Sequence, residues 1–139
     1  MRLEPSLNTR AAAARLIGGV LRSSQSFDLA FTQNKDLKLM SRRDRAFVYN
    51  LCLTTLRRLG QIDELINISL KHPLPDHAQF VTDILRIGVC QILFLDVANH
   101  AAVYTCVELA RKHGHSAYIK LVNAVLRVLT RKGLAIVSK

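Results

Sequence analysis

The sequence predicts an all-α domain, a bundle of six or seven helices grouped around a long apolar helix near the carboxyl end. Three observations predict it. Apolar residues recur at three- and four-residue spacing along most of the chain. No segment alternates with period two, and no hairpin signal occurs. The Ser, Asp, Asn, Gly and Pro residues that punctuate the apolar runs leave only short connections.

The first helix is expected from Asn8 or Thr9, either of which can cap it, to about Arg22. Ala12, Ala13, Leu16, Ile17, Val20 and Leu21 fall on one face of it, and Arg15 and Arg22 on the other. Gly18 and Gly19 lower helix propensity, so they either permit a close contact or mark a weak point. Asp28 is expected to cap a short helix through about Thr32. Ser41 followed by Asp44 has the form of a capping box, after which Val48, Cys52, Leu56 and Leu59 recur on one face. Gly60 is expected to end that helix in the left-handed conformation.

Gln61 to Leu70 reads as a short helix stopped by His72-Pro73, because the residue before proline avoids helical dihedrals. Asp76 is expected to cap a long helix to about Phe94. Both of its flanks are apolar, and Gly88 in the middle suggests another backbone close by. Asn99 precedes a helix from His100 to Lys112, which Gly114 closes. In the final stretch, Ser116 to Lys132, residues Tyr118, Ile119, Leu121, Val122, Val125, Leu126, Val128 and Leu129 span an arc of roughly 220°. That is wider than the stripe of a surface helix, so this element should be surrounded. Lys120, Asn123, Arg127, Thr130 and Arg131 share the remaining sector.

Half of the 139 residues are hydrophobic, enough for the core of one folded unit spanning residues 1–139. There is no uncharged apolar run of about 18 residues and no apolar core to a leader peptide, so a soluble, cytoplasmic protein with no membrane partner is expected. Cys52, Cys90 and Cys106 lie far apart inside apolar patterns, which favours reduced core thiols over a disulfide framework or a zinc site.

The net charge of +10 points to a polyanionic partner. Residues 1–58 hold eleven Lys/Arg against four acids and residues 109–139 hold seven against none, whereas 59–108 hold two against six. This segregation favours a nucleic-acid face built from both ends of the chain. The acidic middle is then expected on another surface, where Asp83 and Asp96 would face a separate domain.

Catalytic patterns are missing from the sequence. There is no Gly-x-Gly-x-x-Gly and no Gly-Lys-Ser/Thr loop. Cys106 and His100 fall on sides of a helix too far apart to pair. His113 and His115 read as capping or surface groups, and Asp63-Glu64 as acids that complement a helix dipole. No catalytic or metal-ligating residue is therefore expected.

Arginine forks suit phosphate, and the candidate RNA contacts are Arg10, Arg15, Arg42, Arg43, Lys120, Arg127 and Arg131. Arg45 is expected to turn toward the apolar flank and pair with an acid. With few aromatics and no tryptophan, base stacking looks poorly provided, so recognition should rest on phosphate and RNA shape.

Several runs occur in a telling order. An arginine–alanine helix carries Arg10, Ala13, Ala14, Arg15 and Leu16. After it come Ser41, Asp44-Arg45-Ala46, Leu51-Cys52, Leu56-Arg57 and Gln61-Ile62-Asp63. Leu85-Arg86-Ile87-Gly88, Gln91-Ile92-Leu93-Phe94, His100-Ala101-Ala102-Val103 and Leu121-Val122-Asn123-Ala124-Val125-Leu126-Arg127 complete the set. Together they resemble the NusB-like N-terminal domain of the RsmB (Sun/Fmu) family of ribosomal RNA cytosine-5 methyltransferases.

The resemblance implies a NusB-like RNA-binding fold that docks small-subunit ribosomal RNA for a catalytic domain, in cis or in trans. That domain, which would hold S-adenosylmethionine, is not represented here, so no cofactor is expected on this chain. A truncated product or a separately encoded remnant would both account for this. The resemblance also makes Arg10 and Arg15 the best positional match to the RNA contacts of NusB proteins. The rival readings are a free-standing NusB-type antitermination factor, binding leader RNA with a ribosomal protein, and a helical module that docks a protein.

Overall fold

The structure, a computed structural model, describes the backbone of residues 5–138 and the side chains of residues 7–132. Among these residues there are eight α-helices, two 3-10 turns and no strand. Helix α1 runs Pro5–Ser23, α2 Phe27–Gln33, α3 Lys35–Lys38, α4 Arg42–Arg57 and α5 Leu59–Ser69. A 3-10 turn at Asp76–Ala78 leads into α6, Gln79–Leu93. Helix α7 spans Asn99–Lys112, and a second 3-10 turn at Ser116–Tyr118 leads into α8, Ile119–Ser138.

Local chemistry explains most boundaries. Helix α1 is already formed at Pro5, where the described residues begin, ahead of the expected caps Asn8 and Thr9. Thr9 consequently lies inside the helix and is buried. Ser26, not Asp28, caps α2 by accepting from the Leu29 amide at 3.2 Å. Asn34 does the same for α3 by accepting from Leu37 N at 3.1 Å. Ser41 caps α4 as expected, accepting from Asp44 N at 3.1 Å.

Gly60 does not end α4. The chain passes through Arg58 straight into α5, and Gly60 lies in the first turn of that helix. The left-handed glycine is Gly114 at φ 80°, which turns the chain between α7 and α8.

The all-α bundle anticipated from the sequence is the one that forms, and the helix it encloses most fully is α6. Val81, Ile84, Leu85, Ile87, Val89 and Cys90 expose no surface there. Each of the larger ones contributes about 1.5–3 kcal/mol through burial. Helices α1, α4, α5, α7 and α8 all pack against α6. Helix α8 buries Val122, Val125, Leu126 and Leu129, whereas Ile119, Leu121 and Val128 toward the edges of its apolar arc, and Tyr118 just before the helix, are only half-buried. The width of an apolar arc does not tell a buried flank from one that merely lines a groove.

A Cβ at Gly88 would lie 3.0 Å from Cys106 Sγ and 3.0 Å from both δ-carbons of Leu126. The glycine therefore admits side chains from α7 and α8, where a neighbouring backbone was anticipated.

Part of the acidic middle segment is spent inside the fold. Asp83 has no exposed surface, and its two oxygens accept from Arg22 Nη2 at 2.7 Å and Arg86 Nη1 at 3.1 Å. Arg86 also donates through Nε to Asp63 Oδ1 at 2.8 Å. Asp83 thus ties α1 to α6 and cannot face a separate domain. Asp96 is exposed.

Candidate nucleic-acid interface

Arg10 and Arg15 sit one and a half turns apart on α1, so they project to opposite sides of it. Arg10 turns inward and is only 9% exposed. Its Nε donates to Gln91 Oε1 at 2.8 Å, its Nη1 donates to Thr9 Oγ1 at 3.3 Å, and its guanidinium lies 4.4 Å from the centre of the Phe47 ring. Burial lowers its pKa, against the opposing influence of Cys106 and Asp44. Arg10 therefore joins α1 to α4 and α6, and the structure corrects its placement as an outward contact. The sequence could not show this, because Gln91 lies 81 residues away.

Arg15 is exposed. Its Nη1 lies 3.9 Å from Asp36 Oδ2, both side chains being more than half exposed, so the pair is loose. Its Nη2 donates to His113 Nε2 at 2.8 Å, while His113 Nδ1 donates to Leu109 O at 3.0 Å. Arg15 also lines two shallow hollows, one bounded by Asn8, Asp36, Leu39 and Met40 and the other by Gln25, Gln33 and Asn34. Met40 leads through Ser41 to Arg42 and Arg43, exposed in the first turn of α4. Arg45 is half-buried and donates to the Met40 carbonyl at 2.6 Å, not to an acid.

Lys120, Arg127 and Arg131 share one exposed stripe of α8. At 1.5 Å per residue, the two arginines lie about 10 Å and about 16 Å along the axis from Lys120. Asn123 holds Arg127, accepting from its Nε at 3.0 Å. Among the described residues, Arg42, Arg43, Lys120, Arg127 and Arg131 make no ion pair; the ion pairs there are made by Arg15, Arg22, Arg86 and Arg111. Exposed cations without an ion pair therefore stand at the α4 start and along α8, as they also do at Lys35, Lys38, Arg57 and Lys71.

The thiols do not suit catalysis. Cys52, Cys90 and Cys106 are free and buried, and their Sγ atoms lie against the carbonyls of Ala13, Leu51 and Ile84 at 3.7, 3.9 and 3.6 Å. Burial pushes Cys90 up to about 11 and Cys106 up to about 12, and it raises Cys52 as well. A thiol held in that state is a poor nucleophile. Without an accessible thiolate, and without a strand and glycine turn to cradle a nucleotide, the described residues do not fit S-adenosylmethionine. No group of three or more His, Cys, Asp or Glu among the described residues could hold a metal ion. No helix among them is long and apolar enough to cross a membrane.

A bundle of eight helices, among the described residues, places the chain in a known class of fold. It is similar to a chain of the crystal structure of antitermination factors NusB and NusE in complex with dsRNA. The TM-score is 0.79 at 20% identity, over 94% of this chain and 98% of that one. It is likewise similar to T. maritima NusB, with a TM-score of 0.80 at 18% identity over 95% and 94%. These likenesses establish the fold.

Residues 7–131 match the NusB family, and the chain belongs to it. In sequence it is 31% identical over 126 residues to ribosomal RNA small subunit methyltransferase B of Shewanella oneidensis, covering 91% of this chain and 29% of that protein. It is 32% identical over 130 residues to the protein of that name from Xanthomonas campestris, covering 94% and 30%. The chain spans about three tenths of the length of these curated relatives.

Proposed function

We propose that this chain is the RNA-docking domain of a ribosomal RNA methyltransferase system, binding small-subunit ribosomal RNA so that a separate catalytic domain can reach its cytosine. S-adenosylmethionine would belong to that catalytic domain, in cis or in trans. The observation that carries the reading is a set of exposed cations, Arg42 and Arg43 at one helix start and Lys120, Arg127 and Arg131 along another, on a chain homologous to methyltransferase B proteins. Arg15, loosely paired with Asp36 and bonded to His113, adds a further exposed cation.

Phosphate contact alone would give affinity that falls steeply with salt. The test is a salt titration of binding to a small-subunit ribosomal RNA fragment, for the wild type and for a variant carrying Arg42→Gln, Arg43→Gln, Lys120→Gln and Arg127→Gln. A log–log slope shallower by about 3 in the variant, from about 0.7–0.9 per lost phosphate contact, is expected. An unchanged slope would remove the reading. A leader RNA of equal length, added as competitor, distinguishes ribosomal docking from antitermination.

A further inference from the structure

The turn that joins α7 to α8 gathers rings that are scattered in the sequence. His113 packs on Phe80 at 5.2 Å between ring centres, and Phe80 on His115 at 6.0 Å. His115 lies 6.4 Å from Tyr118, and Tyr118 lies 6.5 Å from His77. Tyr118 Oη and His77 Nε2 are 3.3 Å apart. Three elements supply these five rings: the 3-10 turn before α6, α6 itself and the Gly114 turn. His77 is exposed and the other four are half-buried. One end of the row is held by Arg15 through His113, and the exposed His77 forms the other.

The remaining aromatic clusters differ in kind. Phe27, Phe31 and Tyr49 pack on one another, while Phe47 and Phe94 lie beneath Arg10 and Arg58. The row at the Gly114 turn combines partly open rings with a cation bonded at its His113 end. A nucleobase gains by stacking on an open ring whatever its sequence, and a flanking cation can hold the adjoining phosphate.

Adjacent rings in the row are inclined by 51°, 34°, 57° and 55°. They do not form a flat shelf for the end of a duplex. Inclined rings about 5–7 Å apart, a separation at which aromatic groups still attract, suit bases that are already unpaired and splayed.

We propose that the row His113, Phe80, His115, Tyr118 and His77 is a stacking site for unpaired nucleobases of RNA. Arg15 would hold an adjoining phosphate at the His113 end. The proposal rests on the RNA-docking reading and adds to it a preference for single-stranded segments. It also revises the expectation that base stacking is poorly provided, since histidines supply three of the five rings.

The test uses the whole chain and two oligoribonucleotides of equal length, one normal and unstructured, the other abasic at its central positions so that phosphates remain and bases are lost. Binding is measured by fluorescence anisotropy for the wild type and for His115→Ala with Tyr118→Leu, two half-buried positions; circular dichroism confirms that the variant is folded. Wild type should bind the normal strand at least tenfold tighter than the abasic one. The variant should lose most of that difference while binding the abasic strand as before.

Equal binding of both strands by the wild type overturns the stacking site and leaves phosphate-driven docking intact. Failure to bind either strand overturns both. A wild-type preference that survives in the variant also overturns the site, because the stacked bases must then lie elsewhere. If Tyr118→Leu unfolds the chain, Tyr118→Phe keeps the ring, and His115→Ala alone must still narrow the difference.

Discussion

Arg22 on α1 reaches Asp83 on α6 at 2.7 Å across the space above Gly18. Asp83 is completely buried, whereas 42% of the Arg22 side chain is exposed. A Cβ at Gly18 would overlap both the Arg22 guanidinium and the Asp83 carboxylate. The adjacent Gly19 has open space at the same point.

The two glycines should therefore respond oppositely to alanine. Gly19→Ala should stabilise the chain by about 0.5–1 kcal/mol, the helix-propensity difference alone. Gly18→Ala gains the same propensity but pushes the ion pair apart, and a net loss of about 1–2 kcal/mol is expected once overpacking is included. Urea denaturation of both variants checks this. Stabilisation by both would mean that Arg22 simply swings into solvent and that the pair contributes little.

Arg10 and Arg15 should separate stability from binding. Arg10→Met keeps the packing volume but leaves Gln91 Oε1, at a fully buried residue, without its Arg10 donor. An unsatisfied buried acceptor costs about 1–3 kcal/mol. Arg15→Ala removes a half-exposed side chain and should alter stability by about 0.5 kcal/mol or less, while lowering the RNA salt slope by about 1. Thermal melts and salt titrations of both variants provide the comparison. A stable Arg10→Met with impaired RNA binding would reverse the assignment.

That contrast marks what was legible in the chain. Helix existence and the caps at Ser41 and Gly114 were readable because each depends on residues within a turn of one another. Helix α3 was not, since four residues are too few for periodicity and its Asn34 cap resembles any loop asparagine. Gly60 misled because a glycine after an apolar run fits both a helix end and the first turn of the next helix. The inward course of Arg10 depends on Phe47 and Gln91, and the ring row on residues from three elements. Neither leaves a local pattern.

The thiols yield a prediction in pH. Cysteine ordinarily ionises near 9.0, but in the fold Cys90 holds its proton to about 11 and Cys106 to about 12. Above the ordinary value the unfolded chain loses these protons while the folded chain keeps them, so folding stability falls as pH rises. The contribution is intact below pH 9 and is lost through the window up to the folded values. The slope is about 1.4 kcal/mol per pH unit for each thiol. Lysines and tyrosines titrate there too, so the readout is the difference between wild type and Cys90→Ala in urea stability from pH 8 to pH 11. The wild type should lose stability faster, and parallel curves would count against a suppressed thiol.

Gly88 gives the sharpest test of how α6, α7 and α8 meet. An alanine methyl there would stand 3.0 Å from Cys106 Sγ and from both δ-carbons of Leu126, closer than carbon atoms normally pack. The substitution gains about 1 kcal/mol in helix propensity, and overpacking costs about 1–3 kcal/mol, so a net loss of about 1 kcal/mol is expected. Leu126 is fully buried on α8, so Leu126→Ala alone opens a cavity and costs about 2–5 kcal/mol. In the double variant the new methyl enters the space that leucine vacated, and the combined loss should be smaller than the sum by about 0.5–3 kcal/mol. A double-mutant cycle by urea denaturation measures that coupling directly. Strict additivity would mean that Leu126 moves aside without cost, and that Gly88 does not set the distance between α6 and α8.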